Sequence, residues 1–185
     1  MKKLAILASG NGSNAEKIME YFRNSTKGKV VMVGSNKLEA QVLERAKKFN
    51  IPTFTFSRKE MNEGKLEKKL RSEKIDFLVL AGFMLKIPEK LIHAFPDRIV
   101  NIHPALLPDY GGKGMYGMNV HKAVIEAGEK ETGITIHLVN ENYDEGKIIF
   151  QTAIPLFPED TPELVAERIH LLEHKYYSNV IESLI

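Results

Sequence analysis

The sequence predicts an α/β fold: a doubly wound, mostly parallel sheet, with antiparallel strand additions near the C-terminus and a final long helix. Three observations carry this reading. Short apolar runs such as Leu4-Ala5-Ile6-Leu7-Ala8 and Phe77-Leu78-Val79-Leu80-Ala81 lack polar alternation and stop at turn residues, as strands buried on both faces do. Stretches with helical spacing separate these runs, giving a β-α-β-α order up to His103. The length, 185 residues, fits one domain spanning 1–185.

Each element has its own local reason. After the first strand, Leu4 to Ala8, the chain breaks at Ser9-Gly10-Asn11-Gly12-Ser13-Asn14. A helix follows from Ala15 to Phe22, with Ile18, Met19 and Phe22 on one face. Val30 to Val33 is the second strand. Leu38 to Phe49 is a helix with Leu38, Val42, Leu43 and Ala46 as its apolar face, and Thr53 to Phe56 is a short third strand. Lys59 to Lys74 reads as one charged helix, and Phe77 to Ala81 as the fourth strand. A helix at Pro88 to His93 opens with proline, which suits a first turn. Arg98 to His103 is the fifth strand, stopped by Pro104. From Pro104 to Val120 the chain has two prolines, four glycines and no periodicity, the marks of a long functional loop. Val120 to Ala127 is helical, with Gly128 as its stop. Thr135 to Val139 and Ile148 to Ala153 alternate as strands around the polar loop Asn140 to Lys147. Thr161 caps the final helix to Ile185, with Pro162 in its first turn.

Composition removes several function classes. Hydrophobic residues make up 43% and charged residues 27%, which argues against disorder or a coiled coil. Lys plus Arg is 26 against 24 Asp plus Glu, with no basic block, so a nucleic-acid partner is not expected. There is no cysteine, which excludes disulfides, iron–sulfur clusters, thiolate zinc sites and a cysteine nucleophile. Leu4 to Ala8 is too short for a signal-peptide core, and no apolar run approaches a membrane span. A cytoplasmic protein is the expectation.

Two readings are open for the first glycine loop. Gly10 to Ala15 is either a plain strand-to-helix turn with Asn14 as N-cap, or an anion site in which the N–H groups of Gly12, Ser13 and Asn14 hold one phosphate. The loop also matches the G-x-G-x-x-[G/A] fingerprint, but Ser35-Asn36 stands where a dinucleotide site would carry an acidic residue. In Asn101-Ile102-His103, strand alternation places Asn101 and His103 on one face, roughly 6–7 Å apart. A neutral carboxamide donor beside an imidazole that titrates near neutrality suits a developing oxyanion. Asp144, in Tyr143-Asp144-Glu145-Gly146, is either an ordinary turn residue or, if close to His103, a charge that raises the histidine pKa and keeps it an imidazolium. His170-Leu171-Leu172-Glu173-His174 matches an inverted zinc-protease pattern but lacks room for a third ligand, so no metal is expected; Glu173 and His170 remain able to reach a ligand. His121 and His137 read as helix-surface and strand residues.

These segments, together with Leu80-Ala81-Gly82-Phe83-Met84, Pro104-Ala105-Leu106-Leu107-Pro108 and Asp144-Glu145-Gly146, resemble the folate-dependent glycinamide ribonucleotide transformylase (phosphoribosylglycinamide formyltransferase) family, in order and over almost the whole chain. The resemblance implies a Rossmann-like formyltransferase fold, with 1–103 as a phosphate-binding half and 104–185 as a folate-loop and C-terminal-helix half. It implies transfer of the formyl group of 10-formyltetrahydrofolate, as co-substrate, to the amine of glycinamide ribonucleotide in purine synthesis. By that resemblance Asn101 and His103 would stabilise the tetrahedral oxyanion, His103 would act as general acid, and Asp144 would raise its pKa and order a water. Gly12, Ser13 and Asn14 would hold the ribonucleotide phosphate and Glu173 its sugar. Lys59, Met84, Leu85, Lys86, Ile87, Asn101, Asn140 and Asp144 would line the folate site. Both partners would be small molecules, with a weak homodimer left open.

Two rivals share parts of this pattern. A formyltetrahydrofolate deformylase would use water as acceptor and would leave the phosphate loop without a purpose. A non-catalytic dinucleotide-binding module would use the same sheet, against which Asn36 argues.

Overall fold

The structure, a computed structural model, describes residues 1–185. Its strands are β1 (Lys2–Leu7), β2 (Gly28–Ser35), β3 (Thr53–Thr55), β4 (Phe77–Leu80), β5 (Ile99–His103), β6 (Glu131–Leu138) and β7 (Ile148–Pro155). Its helices are α1 (Ser13–Phe22), α2 (Gln41–Lys48), α3 (Arg58–Asn62), α4 (Lys65–Ser72), α5 (Glu89–Ala94), α6 (Met118–Glu126) and α7 (Pro162–Leu184). The strands form one sheet in the order β3-β2-β1-β4-β5-β6-β7. The first five are parallel to one another, and β6 and β7 are antiparallel additions, as the sequence implied.

Strand alternation divides the core between two layers. Leu4, Ile6 and Ala8 of the first strand segment pack with α1, α2 and α7, whereas Ala5 and Leu7 pack with residues of α4 and α5. The chain passes from β1 outward to β2 and β3, then returns to β4 on the opposite side of β1. That reversal opens a crevice between the carboxyl ends of β1 and β4, the usual ligand position in such sheets.

Several local expectations are corrected. The charged stretch Lys59 to Lys74 is two helices. Ser57 and Glu60 form a capping box at the start of α3, and Gly64, at φ 82°, separates it from α4. Leu38 is 76% exposed and precedes α2, so it belongs to no buried helix face. Asn14 does not cap α1; Gly12 occupies that position at φ 78°. The sixth strand begins at Glu131 rather than Thr135 because Glu131 to Ile134 continue the ladder with β7.

The long helix α7 is tied to the sheet by Tyr177. Its hydroxyl is fully enclosed, donating to the Leu80 carbonyl at 2.7 Å and lying 3.2 Å from the Val100 carbonyl. The helix therefore grips β4 and β5 where they reach the crevice. Both carbonyls keep their ladder N–H donors, so replacing this hydroxyl removes one net hydrogen bond, worth about 0.5–1.5 kcal/mol. Tyr177→Phe is expected to lose that much unfolding free energy in urea titration while keeping its far-ultraviolet spectrum; a loss below about 0.5 kcal/mol would contradict this role.

Candidate active site

A cavity of about 700 Å³ opens along the carboxyl edge of the sheet. It is lined from β1 by Gly10 to Asn14, from β4 by Leu80 to Ile87, and from β5 by Asn101 to Pro104. Gly112 to Met118, Asn140, Asn142 to Asp144, and Glu173 also line it. Of the residues expected from sequence, only Lys59 stands outside. It is the second residue of α3 and its side chain is 84% exposed and pairs with Glu63, while its neighbour Arg58 lines the cavity instead.

The glycine loop is shaped by backbone and packing together. Gly12 sits at a positive φ, and a Cβ there would lie 2.5 Å from Val42 of α2. Glycine thus lets α1 and α2 close together while the first N–H groups of α1 stay directed outward. Arg45 holds the loop from behind, donating to the Asn11 carbonyl at 2.9 Å and to its side chain at 2.8 Å while pairing with Glu16. Ser9 reaches across the crevice: its hydroxyl bonds Asn36 at 2.6 Å and accepts from the Met84 N–H at 2.9 Å.

Behind this cradle lies Glu173, only 5% exposed. One of its oxygens accepts from Asn14 Nδ2 at 2.8 Å and meets His170 Nδ1 at 2.9 Å. The hydrogen bond to Glu173 holds the His170 pKa above its ordinary value, against the opposing effect of burial. His121, expected on a helix surface, is instead buried and lines the cavity, with Nδ1 lacking a partner. Its apolar-facing position at the start of α6 follows from Val120 and Val124 packing inward beside it. Burial lowers its pKa.

At the other end, two imidazoles converge on one carboxylate. Asp144 places one oxygen 3.6 Å from His103 Nδ1 and the other 3.6 Å from His137 Nε2, and accepts from the Gly112 N–H at 2.9 Å. Burial pushes its carboxyl upward, but His137, His103 and the Gly112 N–H together hold it below its ordinary value. His103 Nε2 is 2.7 Å from the Tyr110 carbonyl, which can only accept, so that nitrogen carries a proton. The sequence expectation for His103 is corrected here. Asp144 does pull its pKa upward, as does the Tyr110 carbonyl, but burial is the larger effect and the net direction is downward. Nδ1 lies open toward Asp144, 3.6 Å away.

Sequence reasoning missed Thr135, Gln151 and His137. The Thr135 hydroxyl accepts from Leu107 N–H at 3.0 Å and donates to the Ala105 carbonyl at 2.7 Å; Gln151 donates to Thr135 and to the Leu107 carbonyl. These bonds seat the segment after His103. The alternation of Thr135 and His137 on β6, opposite His103 and Asn101, was the available signal, but it needed the strand pairing to be interpreted. Across the cavity lining, the Lys86 ammonium lies 5.8 Å from the Tyr143 ring centre.

Comparison with known proteins adds a family. The formyl transferase family is matched over residues 2–181. The chain is 46% identical over 187 residues to the chloroplastic phosphoribosylglycinamide formyltransferase of Arabidopsis thaliana, covering 97% of this chain and 64% of that protein. It is 39% identical over 191 residues to the phosphoribosylglycinamide formyltransferase of Bacillus subtilis, covering 100% of this chain and 95% of that protein. This chain thus spans less than two thirds of the Arabidopsis relative, and nearly all of the bacterial one. The crystal structure of phosphoribosylglycinamide formyltransferase from Bacillus halodurans superposes with a TM-score of 0.89 at 37% identity, covering 99% of this chain and 95% of that one.

The opposite shifts of His103 and His170 give separable titrations. His170, raised, adds stability that is present below about pH 6.5 and is lost as pH rises through its folded pKa; His103, lowered, removes stability as pH falls below about 6.5. Histidine NMR titration is expected to place His170 above and His103 below an exposed imidazole. In Glu173→Gln the His170 value should fall; an unchanged His170 titration would contradict the pairing.

Proposed function

Because this chain belongs to the formyl transferase family, we propose that it transfers the formyl group of 10-formyltetrahydrofolate to the amine of glycinamide ribonucleotide, giving the formylated ribonucleotide and tetrahydrofolate. The observation that carries this reading is a shared cavity, lined both by the N-terminal cradle of α1 and by the Asn101–His103–Asp144 group. The volume, about 700 Å³, suits small-molecule ligands. The apolar side chains Leu85, Ile87 and Val139, with Arg58 near the opening, fit a flat heteroaromatic ring carrying an acidic tail.

In this reading, the N–H groups of Ser13 and Asn14 hold the ribonucleotide phosphate at the positive end of α1, and the free oxygen of Glu173 accepts from sugar hydroxyls. The amine is thereby brought to the formyl carbon. As the new C–N bond forms, the carbonyl oxygen becomes an oxyanion facing Asn101, whose amide N–H stabilises it. The attacking nitrogen must lose a proton and the leaving folate nitrogen must gain one. His103 Nδ1 is open to take that proton, because Nε2 is committed to the Tyr110 carbonyl. The resulting imidazolium is paired with Asp144, adds a second charge to the oxyanion site, and returns the proton as the C–N bond to the folate breaks. Met84 to Ile87 and Asn140 to Asp144 form the walls of the folate side. No step in this sequence calls for a metal.

Loss of an oxyanion donor costs roughly 100- to 1000-fold in turnover. Asn101→Ala and His103→Ala are each expected to lose at least about 100-fold in kcat for formyl transfer, followed by folate absorbance, with folding intact by circular dichroism. Near-normal turnover in either variant would overturn their assignment.

A further inference from the structure

We propose that His137 is a positioning residue that fixes the carboxamide of Asn101, so that one amide N–H is presented to the reacting carbonyl oxygen. The inference rests on the formyl-transfer reading and adds to it a residue that does not itself touch the reacting atoms.

The antiparallel register sets Asn101 of β5 directly opposite His137 of β6, which places their side chains on one face. His137 is 2% exposed. Its Nδ1 lies 3.0 Å from the Leu138 carbonyl, an obligate acceptor, so in the neutral ring Nδ1 carries the proton and Nε2 presents a lone pair. Asn101 Nδ2 is 3.2 Å from that lone pair and donates to it. The Asp144 oxygen, at 3.6 Å, is beyond hydrogen-bond range of the same nitrogen. One amide hydrogen of Asn101 is thus committed, and the other is left for the cavity that Asn101 lines.

Without that bond the asparagine has little to choose between its two amide orientations, since its terminal torsion is broad. The reversed orientation would set a carbonyl oxygen against a developing anion. The sheet is itself irregular at this point: Ile136 pairs with Phe150 while His137 pairs with Ile148, so β7 inserts Ile149 as a bulge beside His137. A bulge next to a site re-aims a side chain, here the imidazole that sets the carboxamide.

The test is a mutant cycle measured by kcat and by KM for both substrates. His137→Ala is expected to lower kcat roughly 10- to 100-fold, the range for losing a partner that orients a functional group, while both KM values stay within about threefold. Asn101→Ala combined with His137→Ala should be no slower than Asn101→Ala alone, because the histidine acts only through the asparagine. His137→Gln, whose amide reaches the Nε2 position, should recover kcat, and His137→Asn, which reaches only the Nδ1 position, should not. Multiplicative losses in the double variant, or equal kcat for the Gln and Asn variants, would overturn the proposal; the Gln and Asn pair decides it if the Ala variant does not fold. The side-chain amide resonances of Asn101 should also move in His137→Ala relative to the unsubstituted protein, and unmoved resonances would overturn the contact. Absence of formyl transfer in the unsubstituted protein would overturn the parent reading instead.

Discussion

The contact of one half-buried carboxylate with two strand-end imidazoles organises this site. Asp144 holds a positive φ of 56°, a conformation aspartate tolerates better than most residues. It lies between His103 on β5 and His137 on β6, and accepts from Gly112 in the loop that follows β5. Three separate chain segments therefore meet at one side chain. The close approach is built into the loop: a Cβ at Gly111 would lie 2.7 Å from Leu107 and 3.2 Å from the Cβ of Asp144. Burying a carboxylate is unfavourable unless charge and hydrogen bonds offset it, and here the net pKa direction indicates that they do.

The same balance has the opposite outcome at His103. Enclosure disfavours the charged ring more strongly than Asp144 favours it. A ring with one nitrogen engaged by a carbonyl and the other open beside a carboxylate is suited to receive a proton and then hold it. At the far end of the cavity the balance is reversed again, because His170 is half-exposed and bonded directly to Glu173. Two histidine–carboxylate pairs in one cavity thus differ mainly in how much water reaches the ring. That difference gives the two rings their opposite shifts.

Much of the fold was legible because buried parallel strands have few sequence solutions. Leu4 to Ala8 and Phe77 to Ala81 must be apolar on both faces, so their runs read directly as central strands. The division of Lys59 to Lys74 into two helices was less visible, since it turns on Gly64 entering a left-handed conformation inside an otherwise helical, charged stretch. Asn101, His103 and Asp144 stood out as polar residues at strand ends and in a loop, although their proximity was not contained in the local pattern. His121 and His137 were read too plainly. Each lies on a regular element with no motif around it, and only the pairing of β6 with β5, or the inward packing of α6, turns its ring toward the cavity. The sign of the His103 shift was likewise out of reach, because burial is a property of the assembled loops.

If the α1 cradle and the Asn101–His103–Asp144 group act on one bound pair of substrates, the fate of the formyl group will show it. The protein would be incubated with 10-formyltetrahydrofolate labelled in the formyl carbon, with and without glycinamide ribonucleotide, and the labelled products quantified. The expected result is label recovered in the formylated ribonucleotide, one for each tetrahydrofolate formed, with no tetrahydrofolate formed when the ribonucleotide is omitted. Label released as formate at the same rate whether or not the ribonucleotide is present would contradict the account.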